Sequence, residues 1–289
     1  MRILFCWVLV SLLFSPFPSS SEEVITVSKR NTGDDASYEY YIDLINKVLS
    51  HTEAEFGEAM VVESSLSISQ KRAFSELNQG NIDLFWSGTN TQRERDYQAI
   101  RVPLFGGLLG MRVPVIRAEQ VQEFTQIVMA GQLKALIACQ GDHWPDSDIL
   151  EDNGYRVERV SRFELMYSML RQGRCDYFPR GLPEVYAEVE QIGASDLVAF
   201  DSILLSYRFP MYLFVSKDSD RLAVRLEQGL LELAETGELK AFMERHPVTR
   251  MLFPLSRYKG AKIFVLENRS LSASTPLNNQ ALWLQVPPD

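Results

Sequence analysis

Apolar residues along this chain fall into short continuous runs separated by longer stretches with helical spacing, a rhythm that predicts strands alternating with helices. Val24-Ile25-Thr26-Val27 predicts a first strand, followed by a polar loop from Ser28 to Ser37. Tyr41, Leu44, Ile45 and Val48 then mark one face of a helix from about Tyr38 to Ser50, and Phe56 to Val62 supplies a second strand. Ala73, Phe74 and Leu77 share a face of the next helix, and Gly80 is placed to close it. Ile82-Asp83-Leu84-Phe85-Trp86 reads as a buried strand that opens into the loop Ser87-Gly88-Thr89-Asn90-Thr91. This β-α-β-α-β order predicts an α/β lobe with a mostly parallel sheet.

A second unit repeats the order after Arg112. Ala118 to Ala130 predicts a helix, Leu136 to Cys139 a strand, and Gln140 to Pro145 a loop. Asp146 to Asn153 is a short helix, Tyr155 to Val157 a strand, and Arg162 to Arg171 an amphipathic helix ended by Gly173. Cys175 to Phe178 is a strand closing at Pro179-Arg180-Gly181, before a helix from Pro183 to Gln191. Asn81-Ile82-Asp83-Leu84-Phe85 and Arg174-Cys175-Asp176-Tyr177-Phe178 take equivalent places in the two units. The chain then crosses back through a mixed stretch from Leu204 to Phe209 into the strand Met211 to Val215. Helices follow at Asp220 to Glu235 and, past Gly237, Leu239 to Arg245. Beyond His246 lies a tail containing Ile263-Phe264-Val265-Leu266 and Trp283, on which no chemistry can be placed.

The 289 residues, 46% of them hydrophobic, suffice for one large or two medium domains. A formal charge of −9 argues against a general nucleic-acid binder, which needs a cationic face. Arg2, the apolar run Ile3 to Phe14, and Ser19-Ser20-Ser21 make a secretory signal peptide, with cleavage expected near Ser21. That run is too short to span a bilayer, and Cys6 sits inside it without a lipoprotein pattern. Cys139 and Cys175 remain. Placed at opposite ends of neighbouring parallel strands they would stand roughly 13 Å apart, so two free buried thiols are expected. His51, His143 and His246 are scattered, and neither a metal pattern nor a cofactor motif is present.

Taken in order, Leu77-Asn78-Gln79-Gly80-Asn81-Ile82-Asp83 leading to Ser87-Gly88-Thr89, Arg93-Glu94-Arg95, Pro103-Leu104-Phe105, Gly173-Arg174-Cys175-Asp176-Tyr177 and Tyr212-Leu213-Phe214-Val215-Ser216-Lys217 resemble the amino-acid-type periplasmic solute-binding proteins, family 3. The resemblance runs from about Val24 to Arg245. It implies an α/β, two-lobed type II periplasmic-binding-protein fold: each lobe a mostly parallel sheet flanked by helices, two crossovers, and a ligand cleft that closes by hinge motion. The expected division is a signal peptide at 1–21, lobe 1 at 22–108 plus 210–245, lobe 2 with the crossovers at 109–209, and a C-terminal extension at 246–289. Gly106, Gly107 and Gly110 suit either a hinge or a tight turn.

The same resemblance marks a site. Gly88, Thr89 and Asn90 form the lobe 1 strand-end loop and would offer hydrogen bonds. Arg95 would clamp an anionic group with Arg93 as its rival in register, the bland alternative being solvated arginines near a helix start. In lobe 2, Gly141-Asp142-His143-Trp144 occupies an anion cradle at a helix N-terminus. An aspartate at the place of Asp142 more often acts as a helix cap, and Trp144 is equally a stacking wall or a packed loop anchor. Tyr38 would line the cleft, Tyr41 packs at core spacing, and Asp35 lies on the same entry loop. Amino-acid binders of the family carry a carboxylate after the lobe 2 Asp-containing strand. Here Gly181 stands there, Arg180 adds a second cation, and Glu184 either substitutes or stabilises a helix first turn. Two arginines without an obvious acid favour an anionic ligand.

Three function classes follow. The leading one is an exported, monomeric receptor that presents a small polar ligand to an ABC permease or a membrane sensor, without nucleic acid or a membrane span. The second is a dehydratase-like periplasmic enzyme on the same fold, for which Asp142, His143 and Glu184 would be the acid and base candidates. The third is an adaptor whose cleft is filled by its own side chains.

Overall fold

The computed structural model describes residues 22–30, 37–65, 70–193 and 195–287. The expectations for the signal peptide, Cys6 and Asp35 fall outside these residues. The first lobe begins with β1 (Glu23–Val27), α1 (Tyr38–His51), α2 (Glu53–Phe56), β2 (Ala59–Glu63), α3 (Gln70–Gln79), β3 (Phe85–Gly88), α4 (Thr91–Asp96) and β4 (Gln98–Ile100). The second comprises β5 (Met111–Arg117), α5 (Val121–Thr125), α6 (Ala130–Ala135), β6 (Ile137–Gly141), α7 (Pro145–Asp152), β7 (Arg156–Val160), α8 (Phe163–Arg171), β8 (Tyr177–Gly181), α9 (Leu182–Gln191), β9 (Leu197–Ala199) and β10 (Ile203–Ser206). The chain returns to the first lobe through β11 (Met211–Val215), α10 (Asp220–Glu235) and α11 (Glu238–Arg245), then adds β12 (Lys262–Val265) to the second.

Lobe 1 pairs β1 with β2 in parallel and flanks β11 with β3 and β4 in antiparallel fashion, a parallel bridge from Val27 to Leu84 joining the two sets. Lobe 2 is one larger sheet in the order β12-β10-β5-β8-β6-β7, with β9 on β5. Its parallel ladders come from the β-α-β units, and β5 is antiparallel to its neighbours because it enters from a crossover. Helix α1 buries Tyr40, Tyr41, Leu44, Ile45, Val48 and Leu49 at three- and four-residue spacing and packs on α10, which sets Gly229 against Val48 and buries Leu222, Leu226, Leu230 and Leu233. Each fully buried leucine contributes on the order of 1.5–3 kcal/mol.

The repeat read between the two units has a structural counterpart. The Asp83 carboxylate accepts the Thr26 N–H at 2.7 Å while the Asp83 N–H donates to the Thr26 carbonyl at 2.8 Å. Asp176 does the same with Ile137, at 2.7 and 2.8 Å. In each lobe an aspartate just before a strand therefore exchanges two hydrogen bonds with the backbone of one residue on a neighbouring strand, Thr26 of β1 or Ile137 of β6, and so fixes the register between them.

Several expectations are corrected. The helix expected from Ala118 to Ala130 is broken, because the Gln132 side chain accepts the Val128 and Met129 N–H groups and starts a separate α6. The strands β3 and β8 begin later than their apolar runs suggest and extend to Gly88 and Gly181. Cys139 and Cys175 form a disulfide, with Cα atoms 5.6 Å apart. Cys175 is not the first residue of a strand: the chain bends before Tyr177, where the Asp176–Ile137 pair turns it under Cys139. No helix among the described residues is long and apolar enough to cross a membrane.

Candidate functional site

The cleft between the lobes is built from the ends of β3, β6 and β8 and from the two crossovers. On the lobe 1 side, Asn90 caps α4 through its side chain, which accepts the Arg93 N–H at 2.8 Å. That start orients Arg93 inward and leaves Arg95 exposed, its carbonyl accepting from Lys217. Arg93 donates to Ser87 Oγ at 2.7 Å, to the Gly88 carbonyl, and to Gln70 Oε1 at 2.7 Å. It also reaches across to the His143 carbonyl of lobe 2 at 3.4 Å and lies 5.1 Å from the centre of the Phe74 ring. All these partners are neutral. Burial accordingly pulls the Arg93 guanidinium down to about 10, with Asp146 opposing the shift.

Gly88 faces the ring of Phe209 so closely that a Cβ there would stand 2.7 Å from Phe209 Cε1. Thr89 is buried and donates its hydroxyl to Glu94 at 2.9 Å, so it serves lobe 1 internally. Tyr38 is also buried, donating to the Ser28 carbonyl at 3.1 Å and meeting Trp86 edge-on, away from the cavity lining.

On the lobe 2 side, Gly141 is the last residue of β6 and supports Trp144, whose ring lies where a Cβ would fall. Trp144 therefore lines the cavity and also anchors its loop. Pro145 starts α7, and Asp146 in its first turn is buried. Asp142 is half-exposed beside His143 at 3.4 Å and caps no helix, because Trp144 holds the N-cap position.

Asp146, unmarked in the sequence, is the centre of a buried network. It accepts from Arg112 on β5 and, at 2.5 Å, from the Tyr207 hydroxyl on the return crossover, while Arg112 Nε donates to Tyr207 at 2.9 Å. Burial would lower the Arg112 guanidinium, but Asp146, Tyr207 and Glu184 outweigh it and leave the group raised. Arg180, also buried, lies between Glu184 at 3.0 Å and Glu188, and stacks against Trp144, Phe163 and Phe178. Its glutamates likewise outweigh burial and hold it well above its usual value. Glu184 itself is raised, first by burial and then by Glu188, against the lowering pull of Arg180.

Around these residues lies a cavity of about 80 Å³. Gln70, Gly88, Arg93 and Met211 line it from lobe 1, Leu109 and Phe209 from the crossovers, and Arg112, Trp144, Pro145, Asp146, Arg180 and Glu184 from lobe 2. Of the expected site residues the structure brings Gly88, Arg93, Trp144, Arg180 and Glu184 to it. Arg95, Thr89, Tyr38, Asn90, Gly141 and Asp142 lie outside the lining. The expectation of two cations without an acid does not hold, since Arg180 is paired with Glu184 and Glu188. Arg112 carried a legible signal, since an arginine within a core-strand run requires a buried partner, but nothing in the sequence marked Asp146 as that partner.

No family model matches the chain, and no curated protein matches it in sequence. Solved structures do resemble it. A probable amino-acid ABC transporter extracellular-binding protein from Bacillus subtilis aligns with 80% of this chain and 100% of its own, at 14% identity and a TM-score of 0.57. A periplasmic binding protein of high arginine specificity from Salmonella typhimurium aligns with 77% of this chain and 98% of its own, at 15% identity and a TM-score of 0.56. The ligand-binding core of GluR0 from Nostoc punctiforme, in complex with glutamate, covers the same shares at 15% identity and a TM-score of 0.54. The fold is thus the two-lobed periplasmic-binding-protein type.

Proposed function

We propose that this chain is an exported solute-binding protein that holds a small amino-acid-like ligand in the cleft, with a carboxylate on Arg93, for an ABC importer or a membrane sensor. The observation that carries the reading is the contrast among the three cavity arginines. Arg112 and Arg180 each have a carboxylate, whereas Arg93 has only neutral partners and spans the cleft. A half-buried guanidinium in that state gains most from an anionic group, with which it can make two parallel charge-assisted hydrogen bonds. Proteins of similar fold are described with glutamate or with arginine specificity, and both ligands are α-amino acids. Because Asp146 and Glu184 balance the lobe 2 cations, the earlier ground for preferring an anion over a zwitterion is removed. The reading is a binding one, since each cavity carboxylate is held by a guanidinium and none stands ready as a base.

Thermal-shift screening against amino acids, dicarboxylates, sugar acids and polyamines tests it, because a ligand raises the melting temperature by mass action. A carboxylate-bearing hit should vanish in Arg93→Met, and retention of full affinity in that variant would sink the reading. A second reading, a cleft filled by its own side chains, is favoured by the cavity's size: about 80 Å³, against about 300–1,000 Å³ for ordinary ligand pockets. A flat screen with a correctly folded protein would select it.

A further inference from the structure

The tail after His246 was the segment to which no chemistry could be assigned, and its path crosses the molecule between the lobes. It leaves α11 in lobe 1 and adds β12 to the edge of the lobe 2 sheet, parallel to β10. Glu267 then exchanges two hydrogen bonds with the Asn153 side chain in lobe 2, at 2.8 and 3.0 Å. One residue on, Asn268 donates to the Arg208 carbonyl on the return crossover at 2.8 Å. The Ser270 carbonyl next accepts both the N–H and the hydroxyl of Thr91, at the start of α4 in lobe 1, each at 2.9 Å. The segment finally docks Trp283 and Leu284 over Gly107 and Gly106 of the outgoing crossover, where the Leu284 N–H donates to the Gly106 carbonyl at 2.8 Å. A Cβ at Gly106 would stand 2.7 Å from Leu284 Cγ, so the glycine there admits the tail side chain. Trp283 is buried, and the Arg208 guanidinium of the other crossover lies 5.0 Å from its ring centre.

We infer that residues 266–287 form a strap that ties lobe 2 to lobe 1 and clamps both crossovers, holding the lobes at their closed angle without ligand. A two-lobed binder joined only by its crossovers opens by changing backbone torsions at a few residues there. In this chain the torsions of Gly106 and Gly107 are covered by Trp283 and Leu284. Any opening that separates Thr91 from Asn153 must also break the tail's bonds to one of them, which lie three residues apart at Glu267 and Ser270. A chain of three residues spans only about 10 Å when fully extended, so the strap has little slack to give.

The test needs no ligand, so its outcome is independent of the proposed binding function. Spin labels at Gln92→Cys and Glu164→Cys, both exposed and on opposite lobes, report the interlobe distance while the native disulfide stays closed. The full chain is expected to give one narrow distance distribution. Removal of residues 268–289 is expected to add a longer-distance peak that dominates it. Should that truncation fail to fold, Trp283→Ala with Leu284→Ala in the intact chain is expected to broaden the distribution in the same direction. A broad distribution in the full chain, or a narrow one unchanged by folded strap variants, would overturn the inference.

Discussion

Asp146→Ala removes the one carboxylate that both Arg112 and Tyr207 contact, and its cost follows from the burial of what remains. The side chains of Arg112 and Asp146 are 2% and 5% exposed. Breaking such a pair from one side costs about 3–5 kcal/mol, because a buried charge loses its counter-ion. Here Glu184 stands 3.7 Å from Arg112 and the bond from Arg112 Nε to Tyr207 survives, which puts the expected loss near the lower end, about 3 kcal/mol. At about 2–4 °C per kcal/mol for a chain of this size, the melting temperature should fall by roughly 6–12 °C. Replacing both partners, as Arg112→Met with Asp146→Leu, should recover most of the loss, since an apolar pair of similar volume leaves no charge uncompensated. The assay is urea unfolding followed by tryptophan fluorescence and checked by calorimetry, because a two-lobed chain need not unfold in one step. A loss below about 1 kcal/mol for Asp146→Ala would refute the reasoning, as would a double variant no better than the single one.

Replacing both Cys139 and Cys175 by alanine opens a link with a sequence separation of 36, and chain entropy sets the cost at about 4 kcal/mol; an unchanged urea midpoint would show that the bridge does not constrain the unfolded chain. Glu184, raised by burial, contributes stability that is fully present below its unfolded value and is lost as pH rises through its higher folded value. The melting temperature of the native protein should therefore fall relative to Glu184→Gln as pH rises from the unfolded carboxylate range towards neutrality, and parallel pH profiles would contradict this. Gly88→Ala forces a methyl against the Phe209 ring and should destabilise by about 1–3 kcal/mol, and a melting temperature within 1 °C of the native would count against close packing at that seam.

The alternation of apolar runs carried the two successive α/β units, because both periodicities are local properties of the chain, whereas their arrangement as two lobes around a cleft came from the resemblance. The paired aspartates Asp83 and Asp176 were visible as a repeated pattern because that pattern is local too. What escaped depended on contacts between distant residues. Arg95 and Arg93 are two positions apart, and only the cap at Asn90 decides which one faces the cleft. Asp146 looks like an ordinary acidic residue in a helix first turn, the role that had been offered for Glu184, and both turn out to face buried arginines. The four-residue spacing of Glu184 and Glu188 on one face of α9 was readable, but their pairing with Arg180 on the preceding strand was not. The pairing was missed because Arg180 was assigned to a loop, whereas β8 continues through it directly into α9. The disulfide failed on the same boundary, since a strand begun two residues too early carries Cys175 away from Cys139.

The placement of Arg93 links the cleft's chemistry to the strap's mechanics. Its guanidinium uses one edge on Ser87 and Gly88 of its own lobe, and the other on Gln70 and the His143 carbonyl across the cleft. On the proposed reading, a ligand carboxylate would take over the second edge. The direct bond from Arg93 to lobe 2 would then be replaced by one through the ligand. In a binder whose lobes are free, that exchange would be the moment of closure, and ligand binding would have to supply the free energy of bringing the lobes together. With Thr91, two residues before Arg93, already tied through Ser270 to the segment that grips Asn153 in lobe 2, the lobes are held before any ligand arrives. Binding then works mainly against the neutral partners that Arg93 gives up, and the affinity is set by the pairing itself more than by hinge motion.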